Sequence, residues 1–458
     1  MFKSIIRQSG TLGRRHLVEG AAHAGLRAGA GPTAVLIILS MAACTADASG
    51  DPEPVPSPSR VSGPVARPSS ADRQADAEAI RPFTIEVTDE VLADLEDRLA
   101  RTRLPDQIPG TDWDYGANRA YMEEILAYWQ DGFDWRAQER RLNEFDHFKT
   151  VIDGIDLHFI HQRSVEAGAT PLLLTHGWPG SFVEFTELIG PLTNPAAYGG
   201  DPADAFHVVI PSLPGYGFSG KPTETGYNPE RMADVLAGLM ERLGYDQYGA
   251  QGGDWGAIIN RALAGNYGDR LIGLHSNFMT AGPPPGGNPE EGVSAEESER
   301  RRERAAAFAD GRGYQAIQGT KPQTLGYGLN DSPAGLAAWI IEKFHGWSDN
   351  DGDVESAFTK DEMLTNITLY WVTETITSSS RLYYESRNTP ATRPVGYIDV
   401  PTGAAIFPKE IIFTPRRWAE ARYNIVRWTL MPRGGHFAAL EEPELLVDDI
   451  RAFFRGLR

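Results

Sequence analysis

The stretch 248–264, YGAQGGDWGAIINRALA, constrains this chain more than any other. An apolar strand runs into an amphipathic helix with only Gly-Gly-Asp-Trp-Gly between them. Gly252 and Gly256 let the backbone pack closely around so sharp a turn, and the turn lifts the Asp254 side chain above the strand end, beside the helix N-terminus. A strand feeding a helix in this way is half of a crossover unit, so the chain is expected to build an α/β fold, a mostly parallel sheet with helices on both faces. Neighbouring text agrees. PLLLT and FHVVIPSL read as buried strands, RMADVLAGLMERLGY as an amphipathic helix, and LIGLHSNF as a further strand. Strands return at PTGAAIFPKEIIF and NIVRWTL, before a last helix near the C-terminus.

A carboxylate at such a turn restricts the chemistry. Attack by Asp254 on an acyl group would give an anhydride, a poor intermediate for a hydrolase. Attack on a saturated, activated carbon gives an alkyl ester, which water can then hydrolyse at the Asp carbonyl. The substrate class is therefore an sp³ carbon with a leaving group, such as an epoxide or an alkyl halide. The amide of Trp255, just after the nucleophile, is one expected oxyanion donor, and the amide of Trp178 in HGWPGS, after the strand PLLLT, is a second. His436, in RGGHF between the last strand and the last helix, is placed as the base in the chain order nucleophile, acid, histidine. Glu410, in FPKEIIF, is the first choice for the acid that orients it, with Asp353 and Asp399 as weaker alternatives.

The flanks differ from this body. Residues 1–43 carry five basic side chains against Glu19 and end in the apolar run AVLIILSMAA, directly before Cys44, the one cysteine in the chain. A basic start, a short apolar core and small residues describe an export signal, and the run is shorter than the ~20 residues of a membrane-spanning helix. Cys44 after MAA resembles a bacterial lipoprotein signal, which implies a lipidated Cys44 and an exported protein anchored on the periplasmic side of the cell envelope. A plain secretory signal is the alternative. The Pro-, Ser- and Asp-rich text that follows reads as a disordered tether. In the helix TDEVLADLEDRLARTRLP, Thr88 and Asp89 occupy a capping position, and HFKTVIDGIDLHFIH reads as a hairpin turning at Asp153-Gly154. These breaks predict a leader over 1–43, a linker over 44–79, a front region over 80–165, the sheet's first part over 166–280, a helical insert over 281–392 and its second part over 393–458. With 43 Lys+Arg against 62 Asp+Glu, the net charge of −19 argues against a nucleic-acid partner. No metal-ligand cluster or cofactor motif is present, and no metal or cofactor is expected.

Taken together, RLPD, DWDYGAN, HGWPGS, LPGYGFS, QGGDWG, GTKPQTLGYGLNDSPAGLAAWIIEKF, SSSRLYYE and RGGHFAALEEPELL resemble the epoxide hydrolases of the α/β-hydrolase superfamily, in their microsomal and juvenile-hormone branch. The likeness runs over about residues 80–458. It implies an α/β-hydrolase fold with a helical cap and an N-terminal epoxide hydrolase region. It also implies conversion of a small apolar epoxide and water to a vicinal diol. Asp254 matches the family's nucleophile, His436 its base and Glu410 its charge-relay acid. Tyr314 and Tyr383 match the cap tyrosines that hold and protonate the epoxide oxygen, while Tyr327 and Tyr384 read as packing residues. A phenol suits that task because it can donate a hydrogen bond and then a proton to the alkoxide. Two other readings compete: a haloalkane dehalogenase, for which Trp255 would suit a halide, and a non-catalytic lipoprotein that binds an apolar ligand.

Overall fold

A computed structural model describes residues 79–286 and 288–458. The expectations for the leader, for Cys44 and for nearly all of the tether lie outside the described residues. Nine strands form a single sheet among the described residues: β1 (Arg81–Pro82), β2 (His147–Ile152), β3 (Ile155–Gln162), β4 (Thr170–Thr175), β5 (Phe206–Pro211), β6 (Tyr248–Gly252), β7 (Leu271–Ser276), β8 (Ile398–Ile406) and β9 (Tyr423–Leu430). Their order is β1-β2-β3-β5-β4-β6-β7-β8-β9. The strands from β5 to β9 along this order are parallel, and β1, β2 and β3 add antiparallel pairs at one side. The expected hairpin is β2–β3, with Asp153-Gly154 as its two-residue turn.

Both faces of the sheet are covered. Along β4, Leu173 belongs to one apolar cluster and its neighbours Leu172 and Leu174 to another, as the alternation of side chains in a strand requires. The helix Pro229–Arg242 shows how the covering is made. Asn228 caps it, accepting from the Arg231 amide at 3.0 Å, and Met232, Leu236, Leu239 and Met240 fall on one buried stripe. At the helix Asp89–Ala100, Thr88 is indeed the cap residue, but its hydroxyl makes no capping bond. It interacts with the neighbouring Glu90 carboxylate instead, and the Thr88 carbonyl receives the Leu92 amide.

Helices fill the chain between β7 and β8. The first, Ala295–Gly311, has a capping box of Ser294 and Glu297 and no buried residue, so its charged face is solvated as its sequence suggests. Next come Gly313–Gln318, Pro322–Leu329, Pro333–Trp347, Lys360–Thr373 and Ile376–Asn388. The front segment braces this insert. Tyr128 donates to Asp361 at 2.9 Å, Glu124 pairs with Lys360 at 2.8 Å, and Trp113 stacks on His345 with ring centroids 3.9 Å apart. Among the described residues, no helix is long and apolar enough to cross a membrane.

The strand order reverses around β4. The chain passes from β4 to β5 on one side and then to β6 on the other, so the connections leaving the paired carboxyl ends of β4 and β6 run opposite ways and leave a crevice. The helix leaving β6 packs into it so tightly that a Cβ on Gly256 would overlap the Thr175 carbonyl oxygen and crowd that of His176. Gly256→Ala is therefore expected to destabilise the fold by about 1–3 kcal/mol or more. Denaturant unfolding of the variant beside wild type measures this, and an unchanged midpoint would contradict the packing argument.

Candidate active site

The crevice collects side chains from five strand ends. Thr175 of β4 pairs with Gly252 of β6, so the HGWPG loop and the Asp254 turn leave the sheet side by side. Asp254 has φ of +44°, left-handed backbone that roughly costs 1–3 kcal/mol for a non-glycine residue. That conformation aims its carboxylate at the loop, where Oδ1 accepts the Trp178 amide at 2.8 Å. Glu410 follows β8 and His436 follows β9. His436 Nδ1 bonds Glu410 Oε1 at 2.6 Å, and its Nε2 lies 3.4 Å from Asp254 Oδ2. Asp254, His436 and Glu410 are thus joined in one line.

Backbone ties hold the histidine loop. The His436 amide donates to the Trp347 carbonyl at 2.9 Å. Glu441 accepts amides of Asp349, Gly435 and Phe437 at 2.8 to 2.9 Å, and burial pushes its carboxyl up to about 7. The loop is thereby fastened to the end of a cap helix as well as to the sheet.

The cap closes the site with aromatic rings. Tyr314 and Tyr383, from the helices Gly313–Gln318 and Ile376–Asn388, are both buried, with ring centroids 5.7 Å apart. Trp178 stacks on Tyr314 at 5.3 Å, and the Trp255 ring meets the Tyr383 ring edge-on at 4.8 Å. The Tyr383 hydroxyl has no hydrogen bond of normal geometry; Tyr314, Asp254, Tyr216 and Trp255 all interact with it. Tyr327 and Tyr384 differ from the packing expectation, being 75% and 38% exposed. Their positions on the cap helices face outward, while Tyr314 and Tyr383 face the crevice.

Electrostatics follow from enclosure. Burial disfavours the His436 imidazolium, but Glu410 and Asp254 more than offset this and hold its pKa well above the usual histidine value. Burial first, and the Asp254 charge second for Tyr314, push both phenols upward, so they stay protonated. The rival acids take no part: Asp353 accepts the Glu355 amide at 3.1 Å, and Asp399 is exposed on β8. Other histidines serve the frame, as His275 does by pairing with Asp449 at 3.0 Å.

A small cavity of about 20 Å³ adjoins the site, lined by Trp178, Glu184, Asp254, Asn277 and His436 among others. Two wider surface clefts, of about 560 and 810 Å³, share the segment Leu104–Ile108 and contain none of these residues. Glu184, Asn277, Trp347 and Glu441 escaped sequence reading. For Glu184 a signal exists: Ser181-x-x-Glu184 has capping-box spacing directly after HGWPG.

Comparison with known proteins gives this geometry its context. Residues 80–185 match the family described as Epoxide hydrolase N terminus, and residues 170–285 match the alpha/beta hydrolase fold. Epoxide hydrolase 1 of Sus scrofa is 41% identical over 425 residues, covering 85% of this chain and 91% of that protein. The chain belongs to the epoxide hydrolase family. Among solved structures, juvenile hormone epoxide hydrolase from the silkworm Bombyx mori superposes with a TM-score of 0.77 at 34% identity, over 83% of this chain and 95% of that one. The Aspergillus niger epoxide hydrolase gives 0.76 at 34% identity, over 83% and 97%. This epoxide hydrolase has the α/β-hydrolase fold, and the dehalogenase and ligand-binding readings find no support in these relatives.

The ion pairs of His436 carry a pH signature. Its pKa is raised by folding, so their contribution to stability is complete below the unfolded pKa of about 6.5 and is lost as pH rises through the folded value. Glu410→Gln removes one of the two carboxylates responsible. It should shrink the difference in unfolding midpoint between about pH 6 and about pH 9; a difference equal to that of wild type would show that Glu410 does not hold the proton on His436.

Proposed function

We propose that this epoxide hydrolase works through an alkyl ester on Asp254. The observation that carries the reading is the posture of the Asp254 carboxylate, with Oδ1 on the Trp178 amide and Oδ2 directed toward His436 and the crevice. Oδ2 attacks a ring carbon, the carbon–oxygen bond breaks, and the ring oxygen takes a proton from Tyr314 or Tyr383. The phenols are well placed because the same Asp254 charge that raises their pKa is consumed as the ester forms. They therefore become stronger acids as the alkoxide appears.

Esterification also removes one of the carboxylates that keep His436 charged. The imidazolium proton can then restore the phenol, which leaves a neutral base next to the ester. Water loses a proton to Nε2 and attacks Cγ of Asp254, and the amides of Trp178 and Trp255 receive the oxyanion. The ester bond breaks and the diol oxygen takes the proton back from His436. The remaining carboxylic acid proton returns to the imidazole and restores the starting ion pairs.

Residues 80–165, 166–280 with 393–458, and 281–392 are proposed as the front region, the catalytic core and the cap. Lipidation of Cys44 is a separate proposal that rests on the composition of the leader. Its test is fractionation of the native cell: Cys44→Ser should move the enzyme out of the membrane fraction, and an unmodified Cys44 in soluble wild type would refute it.

The mechanism has two direct tests. In a single turnover in H₂¹⁸O, label should enter the Asp254 peptide and the first diol formed should be unlabelled; label found only in the diol would mean that water attacks the epoxide directly. Tyr314→Phe and Tyr383→Phe should each slow ester formation by roughly 10²-fold, and the double change should nearly abolish it. Stopped-flow kinetics with an aryl epoxide reads both, and full activity in the double variant would take the tyrosines out of the reaction.

A further inference from the structure

The cavity beside Asp254 has about 20 Å³ of space, room for one water molecule, which needs ~10–15 Å³. One of the groups that line it is an acid with no part in ring opening. Glu184 belongs to the short turn Phe182–Phe185, which Ser181 caps by accepting the Val183 amide. Its carboxylate folds back toward the Ser181 amide. One carboxylate oxygen lies where a Cβ on residue 180 would stand, so Gly180 leaves the space that lets the acid reach inward. Glu184 retains some accessible surface, yet burial pushes its carboxyl up to about 8. The charged or titratable groups that interact with it are His436, which lowers its pKa, Asp254, which raises it, and Tyr370 of the cap helix Lys360–Thr373.

We propose that Glu184 orients the hydrolytic water, accepting one of its hydrogens while His436 Nε2 takes the other. This deepens the mechanism above and rests on the Asp254 ester. The water oxygen bonds to Cγ of Asp254, the transferred proton goes to His436 and then to the departing diol oxygen, and the oxygen delivered stays in the Asp254 carboxyl. Glu184 accepts a hydrogen bond throughout and is not consumed. Charge makes the acid responsive to the reaction stage. In the free enzyme the Asp254 carboxylate opposes ionisation of Glu184 and the His436 imidazolium favours it; both charges are gone once the ester has formed and the imidazolium has restored the phenol.

Glu184→Gln keeps the size of the side chain and removes its charge. Single-turnover experiments on the full chain separate ester formation, read by tryptophan fluorescence, from ester breakdown, read by mass spectrometry of the Asp254 peptide. Formation should stay within about 2-fold of wild type while breakdown slows by ~10–100-fold, the scale expected for a misplaced reactant, so the ester accumulates. Breakdown in wild type should rise with pH through two ionisations, of Glu184 and His436, and the variant should keep one. Gly180→Ala, which displaces the same carboxylate without removing it, should slow the same step and takes the place of Glu184→Gln if that protein does not fold. Breakdown at the wild-type rate with an unchanged pH profile overturns the inference and leaves the ester mechanism standing. Equal slowing of both half-reactions marks a structural role and overturns it too. If no ester forms in wild type or in His436→Gln, the ester mechanism falls and this inference falls with it.

Discussion

The arrangement depends on one close backbone contact, the seating of Gly256 under the carbonyl oxygens of Thr175 and His176. It brings the helix that leaves β6 against the end of β4 with no side chain between. From that contact follows the meeting of two loops that belong to different strands. The Trp178 amide reaches the Asp254 carboxylate at 2.8 Å because the two strand ends are in register and nothing separates them. A bulkier residue would push the Asp254 carboxylate away from the Trp178 amide, and the left-handed backbone at Asp254 would lose the surroundings that enforce it.

Charge is the second organising constraint. The enclosed site holds the carboxylates of Asp254 and Glu410 around the His436 imidazolium, and aromatic rings shield it from bulk water. Trp347 and Phe278 meet the imidazole edge-on at 5.1 and 5.7 Å. In such a setting each charge sets the proton affinity of its neighbours. Covalent consumption of the Asp254 charge would therefore act on His436, on the tyrosines and on Glu184 at once. One event would convert the site from a form suited to opening the ring into a form suited to hydrolysing the ester.

The cap must be held as firmly as the sheet, since it supplies Tyr314 and Tyr383. The front segment supplies much of this support through Tyr128 with Asp361, Glu124 with Lys360, and the stacking of Trp113 on His345. On the other side, the bond from the His436 amide to the Trp347 carbonyl and the Glu441 clamp on Asp349 tie cap to catalytic loop. Movement of the cap would thus disturb His436 as well as the tyrosines.

The sequence alone was enough to read the parallel sheet, the β2–β3 hairpin, and the positions of Asp254, His436 and Glu410 at strand ends. These are local signals: apolar runs, turn residues and chain order fix them, because a strand, a turn and a cap are each decided within a few residues. Tertiary structure decided the rest. That Tyr314 and Tyr383 turn inward while Tyr327 and Tyr384 turn outward depends on how the cap helices rotate as they pack; the family resemblance had told the four apart, but no local pattern does. Glu410, ranked first in the sequence over Asp353 and Asp399, is the one of the three that reaches His436 Nδ1. Glu184 and Glu441 escaped the sequence reading, since burial and a ring of backbone amides are properties of the assembled neighbourhood. A one-dimensional pattern carries the period of an element and its ends; the environment of a charge exists only when distant segments meet.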